Sequence, residues 1–146
     1  MKAIGSQKAF KLEGIPEMKK TLLHVRKALS AEANVALTQQ LHEILIIPAD
    51  MIAQQARNLA PRRTGNLENA IHSGFGKGAA AWAAVDLKVA PYAEYIEKGT
   101  SRIPAQPYFR PAVASQRPAV ARILAEKIPD LIERAADAEA WKASGF

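Results

Sequence analysis

The 146-residue chain contains no cysteine. Disulfide cross-links, thiolate metal sites and thiol catalysis are excluded together. Aromatic residues are scarce at 6%, and there are only three histidines. His24, His42 and His72 fall on separate segments with no metal-ligand spacing between them. No apolar run approaches the ~20 residues that cross a bilayer, so no membrane partner is expected. The opening MKAIGSQKAF lacks the apolar stretch of a secretory signal. The chain is therefore expected to act in the cytoplasm where it is made, or in an assembly put together there.

Familiar catalytic patterns are missing too. His42-Glu43 begins like a zinc-protease helix, but Ile46 stands where HExxH requires its second histidine. No serine sits in a GxSxG setting. Gly74, Gly76 and Gly78 follow neither GxGxxG nor a GKS/GKT ending, so residues 73–80 read as a hairpin tip or loop and not as a phosphate cradle. Glu94 and Glu97 have a spacing that an acid–base pair could use, yet with Lys98 and Arg102 beside them they fit surface ion pairs better. No catalytic residue, cofactor site or metal site is expected, and the chain is read as not an enzyme.

What is present describes an ordinary globular chain, with 49% hydrophobic and 23% charged residues. One domain over residues 1–146 is expected, with flexible ends at 1–7 and 140–146. The net charge of +6 is uneven: residues 1–30 carry seven Lys/Arg against two acids, and residues 61–110 seven against four. A basic chain raises nucleic acid as a partner. No helix-turn-helix spacing, zinc finger or arginine–aromatic interleaving supports a dedicated reader. A basic nucleic-acid-binding protein stays as the alternative function, and weak contact with passing DNA or an acidic protein partner stays open.

Periodicity predicts a short strand over residues 8–13 and an amphipathic helix over residues 17–29. A long helix follows over about residues 31–60, its stripe formed by Leu37, Leu41, Ile44, Leu45, Ile52, Ala56 and Leu59, with a kink or restart expected at Pro48. Pro61 closes it. Arg62 and Arg63 then suit the negative end of the helix dipole, or a charged contact in an assembly. Thr64-Gly65-Asn66-Leu67 reads as a restart, with Thr64 or Asn66 as the cap and Gly65 for the turn. Strands are expected near residues 70–75 and 81–90, paired antiparallel. The last helix begins at Pro111 or Pro118, with a second kink at Pro129 and a stripe through Val120, Leu124, Ile128 and Leu131. The fold class is α+β, a small antiparallel sheet packed against amphipathic helices. Trp141 and the tail to Phe146 read as a fraying end or as a hook for a partner.

The most constrained stretch is residues 91–113, PYAEYIEKGTSRIPAQPYFRPAV, which holds all three tyrosines and four of the nine prolines. Tyr92, Tyr95 and Ile96 share one face of a helical turn, and Gly99 ends that turn. Pro104, Pro107 and Pro111 then stiffen the chain and present Tyr108 and Phe109 from a rail. The rings either pack on the chain's own core or grip a neighbouring subunit.

YAEYIEKGT followed by AQPYFRPAV resembles the gene-product-ten-like family of tailed-phage structural proteins, whose members complete the tail or join it to the head. The family's upstream Ala-Pro-x-x-Thr-Gly-x-Leu block is matched by Ala60, Pro61, Thr64, Gly65 and Leu67. Lys98 replaces the usual aromatic before the glycine, Ile96 a valine, and Tyr108-Phe109 a Phe-Leu pair. The resemblance implies a virion protein, assembled in the host bacterial cytoplasm, whose partners are further copies of itself and other tail or head–tail connector proteins. A ring of identical subunits is one form it allows. On this reading Tyr92, Tyr95, Glu97, Gly99, Thr100, Pro107, Phe109, Arg110 and Pro111 hold the motif, with Thr64 and Gly65 upstream. Arg62, Arg63, Lys98 and Arg102 are the candidates for charged subunit contacts.

Overall fold

The computed structural model describes residues 31–77 and 80–143; the expected strand at 8–13 and helix at 17–29 lie outside them. In chain order the elements are α1 (Ala31–Leu59), α2 (Asn66–Asn69), β1 (Ile71–Phe75), β2 (Ala81–Val85), α3 (Ala93–Lys98) and α4 (Phe109–Ala143). The expected α+β class is what the structure has: one small antiparallel sheet, a long helix before it and a C-terminal helix after it.

Helices α1 and α4 form an antiparallel pair. Ile52 packs with Val120 and Leu124, while Leu37 and Leu41, earlier in α1, meet Leu131, later in α4. Of the kink or restart expected at Pro48, the restart does not occur, since α1 is one continuous helix; α4 is likewise continuous through Pro118 and Pro129 and begins at Phe109, two residues before the expected Pro111. Each proline removes one backbone donor. Pro48 is itself buried in the apolar stripe, between Leu45 and Ile52, so packing holds the helix where propensity alone would end it.

A separate cluster is built almost wholly from alanines. Ala53, Ala56, Ala60, Ala70, Ala93 and Ala112 gather with Leu67 and Ile71 around Tyr108, which is 2% exposed. Small side chains on α1, α3, α4 and the connections between elements let the backbones close in, and one large ring fills the space. Of the two readings of the rings, Tyr108 takes the first, packing on the chain's own core. It is a core residue of its own chain, and Phe109 is half-buried beside it, ring edge to ring face.

The hairpin pairs Ile71 with Val85 and Phe75 with Ala81. Strand β2 ends at Val85, short of the predicted residue 90. The Asp86 carboxylate accepts from Lys88 N–H at 2.8 Å, and its carbonyl accepts from Val89 and Ala90. This Asx-type turn interrupts an alternation that Leu87 and Val89 only imitate. The flanking bonds, Asp86 N–H to the Ala70 carbonyl and Gly76 N–H to the Ala80 carbonyl, place Ile71 and Phe75 on rungs whose backbone groups turn away from β2. Both carbonyls are nonetheless satisfied. Ile71 O accepts from Arg57 Nε and Nη2 at 3.1 and 2.7 Å, and Phe75 O from Trp82 Nε1 at 3.0 Å. The outer edge of β1 is therefore blunted by side chains.

Candidate functional site

The two blocks that carry the family resemblance are brought together in space. Pro61, Arg63, Thr64, Gly65 and Leu67 from the α1–α2 connection face Tyr92, Tyr95, Ile96, Thr100, Ile103 and Pro104 across an open groove of about 740 Å³. Its lining is predominantly apolar, Arg63 is its one charged residue, and Tyr95 and Ile103 are 61% and 52% exposed. No metal-holding group of His, Asp and Glu occurs among the described residues, and no described helix is long and apolar enough to cross a membrane.

Each wall is fixed by local backbone chemistry. Gly65 precedes α2 at φ 78°, and no side chain caps that helix. Thr64 and Asn66 do not act as the predicted cap, because the left-handed turn at Gly65 already aims its carbonyl at Asn69 N–H, 3.0 Å away. On the other wall α3 ends at Gly99, φ 74°, as its sequence predicts. A Cβ there would lie 2.7 Å from Ala105 N, so glycine is required by space as well as by conformation. Thr100 N–H donates to Ile103 O, its Oγ1 accepts from Ile103 N–H, and Gln106 N–H returns to Ile96 O. The proline-bearing loop is thereby stitched back onto α3.

Glu97 supplies the strongest brace, and its role differs from the surface ion pair expected. Oε2 accepts from Tyr108 and Phe109 N–H at 2.9 Å each, and Oε1 from Arg110 N–H at 3.0 Å. These are orphan donors at the start of α4, and a carboxylate there also meets the positive end of the helix dipole. The N-terminus of α4, which begins at Phe109 and carries Pro111 in its first turn, is thus occupied from within the chain. Sequence reasoning missed this because the carboxylate lies eleven residues before the first amide it serves; capping rules look one turn ahead. Arg57, whose guanidinium closes Ile71 O, was likewise invisible to periodicity.

The remaining predicted residues divide clearly. Lys98 pairs with Glu94 one helical turn earlier, and that hydrogen bond, followed by the lysine's charge, holds the Glu94 carboxyl below its ordinary range. Arg62 reaches Glu68 at 3.4 Å. Arg63 and Arg102 are exposed and form no ion pair among the described residues. Pro107 is exposed, and Pro111 half-buried. Burial, followed by the Glu97 charge, pushes the Tyr108 phenol well above its ordinary range, while its hydroxyl donates to Ala93 O at 3.5 Å.

No protein-family model, curated protein or solved structure matches this chain.

Proposed function

We propose that this chain is a non-enzymatic structural component of a tailed-phage or prophage particle, acting in tail completion or head–tail joining through contacts between subunits. The observation that carries the reading is the convergence of its two resembling blocks, about thirty residues apart in sequence, on one rigid apolar groove. An open groove with exposed Tyr95 and Ile103 on its margin suits a protein contact, where buried aromatic anchors supply affinity and flanking charges set register. Its partners on this reading are further copies of itself and neighbouring tail or connector proteins.

Particles assembled without this protein test it by electron microscopy. Separate heads and tails, or tails of uncontrolled length, support the proposal; normal infectious virions overturn it. The alternative, a nucleic-acid binder, rests on the net charge of +6 and on exposed Arg63, Arg102 and Arg110. It requires affinity for DNA that falls steeply with salt, which a subunit-joining protein does not need.

A further inference from the structure

Among the described residues, exposed charges without an ionic partner include two of each sign at opposite ends of the α1–α4 pair. At the groove end, Arg63 and Arg102 are exposed and lack an ionic partner among the described residues. At the other end of the α1–α4 pair, exposed Glu133 and Asp137 also lack one. The sequence continues there as Glu139-Ala140-Trp141, one further acid and an indole within about one helical turn of Asp137.

We propose that the groove is the socket for the carboxyl-terminal turns of α4, residues 133–141, of a second copy of this chain. This rests on reading the groove as a subunit contact and names what fills it. The chemistry on the two sides is complementary: an apolar trough with unpaired arginines at its margin, and a helix end that combines carboxylates with a large apolar residue.

The same chain cannot fill its own socket. Glu97 ties the start of α4 to α3, whose Ile96 lines the groove. At ~1.5 Å per residue the helix then carries residue 133 roughly 36 Å away from Phe109. Contacts with α1 hold it there: Leu131 packs on Leu37 and Leu41 at the distal end of the pair. The contact is therefore between copies and head to tail. Such a contact is heterologous, so each copy keeps one free socket and one free helix end until a ring closes or a filament grows.

The test uses two full-length variants with exposed substitutions, each checked for native circular dichroism and melting. One reverses the socket (Arg63→Glu with Arg102→Glu), the other the helix end (Glu133→Lys with Asp137→Lys). The wild-type chain is expected to self-associate at low salt and to dissociate as salt rises, followed by sedimentation velocity. Each variant alone should associate on the order of tenfold more weakly, because like charges then meet at every contact. Mixed in equal amounts, the two should associate again, since each helix end finds an oppositely charged socket.

Helix-end reversal that leaves association at the wild-type level overturns the proposal. That is the result if another basic segment already neutralises those carboxylates, or if the groove takes another protein. A mixture that stays dissociated overturns it too. A wild-type chain that remains monomeric at low salt also removes the socket, while the tail-component reading stands or falls separately on particles made without the protein.

Discussion

The Glu97 carboxylate lies 2.9 Å from the backbone N–H of Tyr108, so a short helix holds both the first amides of a 35-residue helix and the ring that fills the alanine cluster. Capping, core packing and groove shape are therefore one structural unit. Glu97→Ala should lower stability by about 2 kcal/mol, near the upper end of cap losses, since the bonds are charge-assisted. Glu97→Gln keeps one acceptor but turns an amide NH₂ toward a backbone donor, and should recover only about half. Chemical denaturation decides; a loss below about 0.5 kcal/mol for the alanine variant would show that water caps α4 equally well.

The two left-handed glycines should respond differently to a methyl group. Gly65→Ala meets no atom within 4 Å, so only the conformational penalty applies, about 1–2 kcal/mol. Gly99→Ala carries a comparable penalty and also drives a Cβ to 2.7 Å from Ala105 N, so its loss should exceed that of Gly65→Ala by at least about 1 kcal/mol. Equal losses in denaturant midpoints would mean that the 99–106 loop yields without cost.

The sequence made the helices, the hairpin and the Gly99 stop legible because each is written in adjacent residues: the stripe through Leu37, Leu41, Leu124 and Ile128, or a glycine after a helical turn. It left alternatives open, or in the case of Glu97 misled, where a long-range partner decides the outcome. Pro48, itself buried, stays within one continuous helix, and Tyr108 takes the core site because alanines on α1, α3 and α4 leave room for it. Glu97 reads locally as a surface charge beside Lys98, and only the returning loop gives it three amides to hold. The groove was half legible: both blocks stood out, but their meeting required the fold.

Tyr108 gives the protein a sensitivity to alkali with a definite sign. Its phenol ionises at higher pH when folded than when unfolded. Its contribution is thus complete below the ordinary value near pH 10 and is lost as pH rises above it, where the unfolded chain releases the proton first. The stability difference between wild type and Tyr108→Phe should be flat below about pH 10, then shrink by up to ~1.4 kcal/mol per pH unit. A flat difference throughout would mean that the phenol ionises freely within the folded protein.

Arg57 should matter more than a half-exposed arginine ordinarily does. Arg57→Met keeps much of the aliphatic stem but leaves Ile71 O, on a fully buried residue, without either guanidinium donor. A loss of about 1–3 kcal/mol is expected, with Arg57→Lys intermediate because an ammonium can restore one bond but not the forked pair. Amide exchange should accelerate across β1 in the methionine variant. Unchanged stability and exchange would show that water takes over the carbonyl.

Two tyrosines of the same motif should separate folding from assembly. Tyr95 is 61% exposed at the groove, whereas Tyr108 is 2% exposed in the core. Tyr95→Ala should therefore change stability by no more than about 0.5 kcal/mol, as surface substitutions usually do, and yet, on the proposed subunit-joining role, abolish joining in particles that depend on this copy. Tyr108→Ala should lose about 3–5 kcal/mol, as large-to-small core changes do, and fail in assembly only because it fails to fold. Melting curves and particle counts on the same two variants make the distinction. If Tyr95→Ala assembles like the wild type, the groove is not the joining surface, since an exposed ring at its margin would then contribute neither to the fold nor to the contact.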